Sequence, residues 1–211
     1  MDHADAATEF DRQVRVLLDH GYPALAGMTE DAFRDLVDPL RAEAVQRSAD
    51  LAAPTRARVP FVLVVRQSLV PAHDAMAVTA LGSRTGFADF DPADIARFTA
   101  IDGLDAPDRP AYLAFDVDRG KETLNVSPDD AMPTITGQGR TPITVAEGIA
   151  FLTHHPDSLE KNSCYMLAGS RSGDRRVPAL WISNRAPKLG WCWAGNRHTW
   201  LGIASCAARS T

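Results

Sequence analysis

The residues best suited to recognise a ligand are crowded into the last quarter of the sequence. Trp191 and Trp193 alternate along one predicted strand and therefore share a strand face. Large aromatic side chains commonly line small-molecule pockets. We predict that they form the wall of a ligand cleft, with a tryptophan-rich core as the alternative. The predicted wall contains all four tryptophans, Trp181, Trp191, Trp193 and Trp200, and its rim carries Lys188, Asn196 and His198.

A segment rich in glycine and arginine, residues 169–176, connects two predicted strands and has the composition of an anion site. Its glycines allow backbone N–H groups to converge, and Arg171, Arg175 and Arg176 supply forked donors for carboxylate or phosphate. The spacing matches neither a P-loop nor a dinucleotide fingerprint. The alternative is a polar hairpin tip in which Asp174 pairs with a neighbouring arginine.

His198 is the residue of this region that can exchange a proton near physiological pH, so we predict it as the catalytic residue if the cleft supports a reaction. The sequence identifies no reaction and leaves open whether the protein is an enzyme. A thiolate formed by Cys192 beside His198 is a second hypothesis. Because Cys192 lies between Trp191 and Trp193, its thiol points to the strand face opposite both rings.

Soft metal ligands also occur here, because Cys164, Cys192, His198 and Cys206 all lie in or near predicted strands. They could meet in a structural zinc site, but none of them forms the closely spaced pairs of a zinc finger or ribbon. We therefore predict no metal ligands and interpret the cysteines as small buried hydrophobic residues. A metal-stabilised structural domain is kept as an alternative function, and the sequence identifies no cofactor.

The net charge of −5 is unevenly distributed along the chain. Residues 161–211 carry eight basic side chains and one acid, a net charge of +7, which leaves −12 for residues 1–160. Such asymmetry indicates an anionic partner unless the two parts neutralise each other on folding. A small anionic molecule is the favoured partner. A nucleic acid or an acidic protein is the alternative, since basic residues alternate with aromatic ones, although the acidity of the whole chain counts against it.

The elements that must position these residues begin with helices. Residues 1–52 predict an N-terminal helical segment, in which Gly21 ends the first helix and Thr29 caps a short second one. Asp38, followed by proline, starts a further helix that continues to about Ala49.

Residues 59–211 predict an α+β domain that carries the site. It starts with a buried strand at residues 59–65, and Thr144 and Glu147 later form a capping box that opens a helix.

Between these two signals, residues 112–117 and 123–126 predict a hairpin, and Ser127 starts a single helical turn that Pro133 ends. The last strands are predicted at residues 163–168, 177–183, 189–194 and 200–206. Their connections are too short for crossovers, which favours antiparallel pairing. The predicted fold is α+β, with the N-terminal helical segment packed on a mostly antiparallel β-sheet.

Several long segments resemble a domain family of unknown function that is widespread in actinobacteria. They are GRTPITVAEGI at residues 139–149, GSRSGDRRVPALWIS at 169–183, PKLGWCWAGN at 187–196 and HTWLG at 198–202. Residues 21–27 are similar to the start of the family, so the resemblance spans most of the chain. Arg197 departs from it, since we expect proline there. The resemblance implies a single functional unit and no particular activity.

The composition also bears on where in the cell the protein is expected to be. The longest apolar run, residues 61–65, is far shorter than the roughly 20 residues of a membrane helix. The N-terminus lacks the basic head and apolar core of a signal peptide, and three cysteines do not suggest a disulfide scaffold. We therefore expect a cytoplasmic protein without membrane contact that binds or converts a small anionic molecule, in an oligomeric state that the sequence does not indicate.

Overall fold

The computed structural model of the chain describes residues 1–48 and 51–210. The predicted helix end at Ala49 lies outside these residues. The described residues contain eight α-helices: α1 (His3–Asp19), α2 (Tyr22–Leu25), α3 (Glu30–Val37), α4 (Leu40–Ser48), α5 (Ala72–Val78), α6 (Pro92–Ala96), α7 (Pro128–Gly137) and α8 (Val145–His154). None of these helices is both long and apolar enough to cross a bilayer.

The same residues contain fourteen strands, most of them short. They are β1 (Arg58–Val65), β2 (Ala80–Leu81), β3 (Arg84–Thr85), β4 (Phe87–Ala88), β5 (Thr99–Ala100), β6 (Ala111–Asp118), β7 (Thr141–Pro142), β8 (Cys164–Met166), β9 (Ser170–Arg171), β10 (Arg176–Ser183), β11 (Ala186–Trp193), β12 (Leu201–Ile203), β13 (Ser205–Cys206) and β14 (Ala208–Arg209).

Most strands belong to two five-stranded sheets. The first sheet has the order β1-β6-β13-β7, with β14 also paired to β6, and its pairings are antiparallel. The second sheet has the order β12-β8-β10-β11-β4, in which the two central pairings are antiparallel and the two outer ones parallel. The prediction of a mostly antiparallel sheet is confirmed. The outer pairings differ because β4 and β12 join neighbours to which no hairpin connects them.

The N-terminal helices pack on the first sheet, which confirms the predicted α+β class. Phe10 and Leu17 of α1 are buried, and α1 contacts α4 and β1. Gln13 fastens the helix to β1, because its amide donates to the carbonyl of Phe61 (3.1 Å) and accepts from the N–H of Leu63 (2.7 Å). Gly21, at φ +73°, follows the end of α1 as predicted, since glycine adopts this left-handed conformation without strain.

The helix α8 starts with the predicted capping box. The hydroxyl of Thr144 accepts from the N–H of Glu147 (3.3 Å), and the Glu147 carboxylate accepts from the N–H of Thr144 (2.7 Å). Glu147 is fully buried, and Arg209 of β14 binds its two oxygens at 2.5 and 2.9 Å. The Tyr112 hydroxyl donates to the same carboxylate (2.9 Å). This ion pair ties the start of α8 to the first sheet and holds the pKa of Arg209 above its usual range despite burial.

The predicted strand at residues 123–126 is wrong. The chain forms a 3-10 turn, Lys121–Thr123, instead of the second arm of a hairpin. The Thr123 hydroxyl donates to the carbonyl of Gly120 and accepts from the N–H of Ile203, both at 2.7 Å. A side chain therefore anchors β12 where the sequence pattern suggested a backbone ladder.

The predicted single turn before Pro133 is also wrong, because α7 continues through this proline to Gly137. A proline removes one N–H from the helical ladder. The helix nevertheless buries Ala131 and Ile135 on either side of it. Burial of this helix face offsets the lost hydrogen bond. The local sequence does not show that the face will be buried, so it predicted that the helix would end at the proline.

Candidate functional site

The hairpin of β10 and β11 positions most of the predicted site. Its turn contains two residues, Asn184 and Arg185, at φ +52° and +66°. Both are in the left-handed region, as a type I′ hairpin turn requires. The turn fixes the register, so that Trp181 lies opposite Lys188 and Trp191 lies opposite Pro178.

This register divides the four tryptophans into two pairs. Residues opposite each other in an antiparallel ladder share a face, and neighbours along a strand alternate. Trp181 is thus on one face of the sheet, with Trp200 against it at 6.4 Å between ring centroids. Trp191 and Trp193 are on the other face, with centroids 4.8 Å apart. The structure does not bring the four rings into the single wall predicted from the sequence.

One pair, Trp181 and Trp200, lines a cleft of about 740 Å³, which we call the tryptophan cleft. Trp181 lies directly against Gly190, where a Cβ atom would overlap the ring. Both rings are partly buried, which leaves part of each available to a ligand. The remaining lining residues come from β2, β8, β10 and the loops next to β8 and β10: Leu81, Leu159, Lys161, Asn162, Cys164, Ile182 and Arg185.

The tryptophan cleft contains two cations that sequence reasoning missed. Lys161 and Arg185 are exposed, and their side chains form no ion pair or hydrogen bond with the other described residues. No Asp or Glu is among the residues that line the cleft in the described part of the chain. The excess of basic residues after position 160 was the available signal, but it did not distinguish these two from the other six.

Lys188 and His198 lie against the two rings of the tryptophan cleft. The Lys188 ammonium is 5.2 Å from the centroid of Trp181 and forms an ion pair with Asp89. The imidazole of His198 packs edge-on to Trp200, with centroids 5.5 Å apart. Desolvation lowers the pKa of His198, and its Nε2 is buried without a hydrogen-bond partner among the described residues. Desolvation therefore favours the neutral form of this imidazole.

The opposite face carries the other tryptophan pair, in which Trp193 is 48% exposed. The Arg176 guanidinium lies 5.6 Å from the ring centroid of Trp191. It also forms ion pairs with Asp174 (2.8 Å) and Asp94 (3.6 Å). In the loop of residues 169–176, Asp174 thus pairs with a neighbouring arginine, as the alternative interpretation proposed.

The other predicted anion-binding residues have different partners and do not converge. Arg175 pairs with Asp129 (3.0 Å), whereas Arg171 donates to the carbonyls of Ala168 (2.6 Å) and Ser170 (3.0 Å). Burial lowers the pKa of Arg171. Asn196 is exposed. Because the exposed arginines on this side are matched by aspartates, the face offers little net positive charge to a nucleic acid.

The three cysteines are free. Cys192 lies opposite Val177, on the face away from Trp191, as predicted. Burial raises the pKa of its thiol to about 11, which disfavours the thiolate required by the second catalytic hypothesis. Across residues 1–48 and 51–210, no group of three or more His, Cys, Asp or Glu side chains is arranged to hold a metal ion. The metal-stabilised alternative thus has no ligand cluster there.

Comparison with known proteins gives one match. Neither the curated proteins nor the solved structures that we compared with the chain gave a significant match. A family described as "Family of unknown function (DUF5701)" matches residues 16–211, almost the whole chain. The predicted resemblance to a family of unknown function is confirmed, while its distribution among actinobacteria stays a prediction. The chain belongs to the DUF5701 family.

Proposed function

We propose that the protein binds a small anionic molecule with a flat apolar body in the tryptophan cleft. The observation that carries the proposal is the placement of Lys161 and Arg185, two cations without carboxylate partners, beside the rings of Trp181 and Trp200. None of the acidic residues that the structure describes lines this cleft.

The physical argument combines two interactions. A flat apolar ligand would replace water over the half-buried rings and gain both burial and aromatic contact. Its anionic group would receive charge-assisted hydrogen bonds, for which the Arg185 guanidinium is suited by its forked geometry. The volume of about 740 Å³ falls in the range typical of small-molecule sites.

The proposal is binding rather than catalysis. No Asp, Glu or His is among the cleft residues of the described chain, and burial raises the pKa of the lining thiol, Cys164. We propose that Lys188 and His198 position the two rings from behind, so that neither is a reacting group. A cytoplasmic location is part of the same proposal.

Isothermal titration calorimetry with 1-naphthoate and its uncharged amide tests this function. We expect the carboxylate to bind at least about tenfold more tightly, a difference of ~1.4 kcal/mol. The double variant Lys161→Gln/Arg185→Gln should abolish that preference, because both side chains stay polar but lose their charge.

The matched control is Arg175→Gln/Arg197→Gln, which removes two exposed arginines that pair with Asp129 and Asp130. It should leave the preference unchanged. Equal binding of the acid and the amide, or equal losses in the two double variants, would refute the proposal. Salt-sensitive binding of a single-stranded oligonucleotide that the control variant loses and Lys161→Gln/Arg185→Gln retains would instead favour a nucleic acid on the opposite face.

A further inference from the structure

A second cavity, of about 410 Å³, lies away from the tryptophan cleft, between the end of β1, the α5–α6 region and the start of α8. Its apolar wall includes Ile95 and Phe98, each 1% exposed, and its floor includes Tyr112. The Tyr112 hydroxyl is already bound to Glu147, whose charge Arg209 neutralises. The negative charge behind the floor is therefore neutralised, and the floor does not attract a cation.

A buried hydroxyl with an unused hydrogen also lines this cavity. Ser170 is 1% exposed, and its Oγ accepts a hydrogen bond from the N–H of Val145 (3.1 Å). Within the described residues its hydroxyl hydrogen has no acceptor. Buried donors normally find an acceptor, so a ligand oxygen is the natural partner for this one.

The cavity has one guanidinium. Arg66 forms an ion pair with Asp108, whose side chain is 99% exposed. Exposed ion pairs contribute little free energy, so a ligand anion can take the place of Asp108 at small cost. No Asp or Glu of the described chain lines the cavity. The Arg66 guanidinium and the buried Ser170 hydroxyl are donors suited to a single carboxylate, and the apolar wall matches a short hydrocarbon group.

We infer that this cavity binds a small monocarboxylate, with its carboxylate on Arg66 and the Ser170 hydroxyl and its apolar tail against Ile95 and Phe98. The site shares no lining residue with the tryptophan cleft, so each of the two proposals can be tested independently of the other.

An NMR titration of the whole ¹⁵N-labelled chain with hexanoate, hexanamide and inorganic phosphate tests the inference. Hexanoate should shift the amide signals of Val145, Ala146 and Ser170 and bind at least about tenfold more tightly than hexanamide. Arg66→Gln should lower hexanoate affinity by about tenfold while the remaining spectrum stays folded. The control Arg97→Gln removes a nearby exposed arginine that does not line the cavity and should leave the affinity unchanged.

Three outcomes would overturn the inference. Hexanoate could shift only signals of the tryptophan cleft, hexanamide could bind as tightly as hexanoate, or phosphate could compete at equal concentration. The first outcome would assign the carboxylate to the other site, the second would show that the charge is not recognised, and the third would show a general anion site without an apolar subsite.

Discussion

The two faces of the β10–β11 hairpin each carry a tryptophan pair and cationic side chains. We call them the cleft face, with Trp181 and Trp200, and the paired face, with Trp191 and Trp193. On the paired face Arg176 is matched by Asp94 and Asp174, and Trp193 extends into solvent. The cleft face instead borders a cavity and two cations without acidic partners. Composition is similar on both faces, but the described arginines of the paired face have acidic partners, whereas Lys161 and Arg185 beside the cleft have none.

The largest expected contrast is in stability. Trp181→Ala should lower the free energy of unfolding by about 3 kcal/mol, because it removes the ring from Gly190 and Trp200. Trp193→Ala should cost less than about 1 kcal/mol, since about half of this residue is exposed to solvent. Urea denaturation measures both values. Equal costs would mean that the two faces are packed alike and would end the distinction drawn between them.

A pH series shows whether the cleft face is the acid-sensitive part of the molecule, and we expect that it is not. Burial lowers the pKa of His154 to about 3 and that of His155 to about 4. Below the unfolded value of about 6.5, the unfolded chain binds protons that the folded chain does not, so stability falls with pH.

Between pH 6.5 and 5.5 the expected loss is about 1 kcal/mol for each of the two histidines. Thermal unfolding across this range, in the wild type and in His155→Gln, measures the contribution of one histidine. A His198→Gln variant serves as the control from the cleft face. If His198→Gln reduces the pH dependence of the unfolding temperature more than His155→Gln does, the acid-sensitive group lies beside Trp200.

The smallest expected effects on the free energy of unfolding differ in sign between the two faces. Arg176→Gln should destabilise the protein by about 1 kcal/mol, because it removes two ion pairs and a cation–ring contact. Arg185→Gly should stabilise it by up to about 1 kcal/mol, because glycine relieves the left-handed backbone at φ +66°. The same variant should weaken binding of 1-naphthoate. Destabilisation by Arg185→Gly would show that this arginine supports the fold rather than a ligand.

Signals confined to a few neighbouring residues predicted the structure well. The capping box of Thr144 and Glu147 and the helix stop at Gly21 each depend on atoms within one turn of chain. The predictions that failed, at residues 123–126 and at Pro133, depend on hydrogen bonds and burial that arise only in the folded chain. The Thr123 hydroxyl binds the backbone of Ile203, 80 residues away, and no local pattern encodes that bond.

The single aromatic wall predicted from the sequence is split into two tryptophan pairs for a related reason. A shift of one residue in strand register moves every side chain to the other face. The turn that sets this register contains Arg185 at a position where glycine is typical, so the sequence did not reveal it. With the turn known, Trp181 and Trp191 fall on opposite faces. The four aromatic residues were found, but their separation required the turn geometry.

The buried pair of Glu147 and Arg209 has a consequence for synthesis. The two residues are 62 positions apart, so Glu147 is synthesised well before Arg209. Docking α8 in that interval would bury an unpaired charge, at a cost of several kcal/mol. We therefore expect α8 to complete its packing on the first sheet only after Arg209 of β14 has been synthesised.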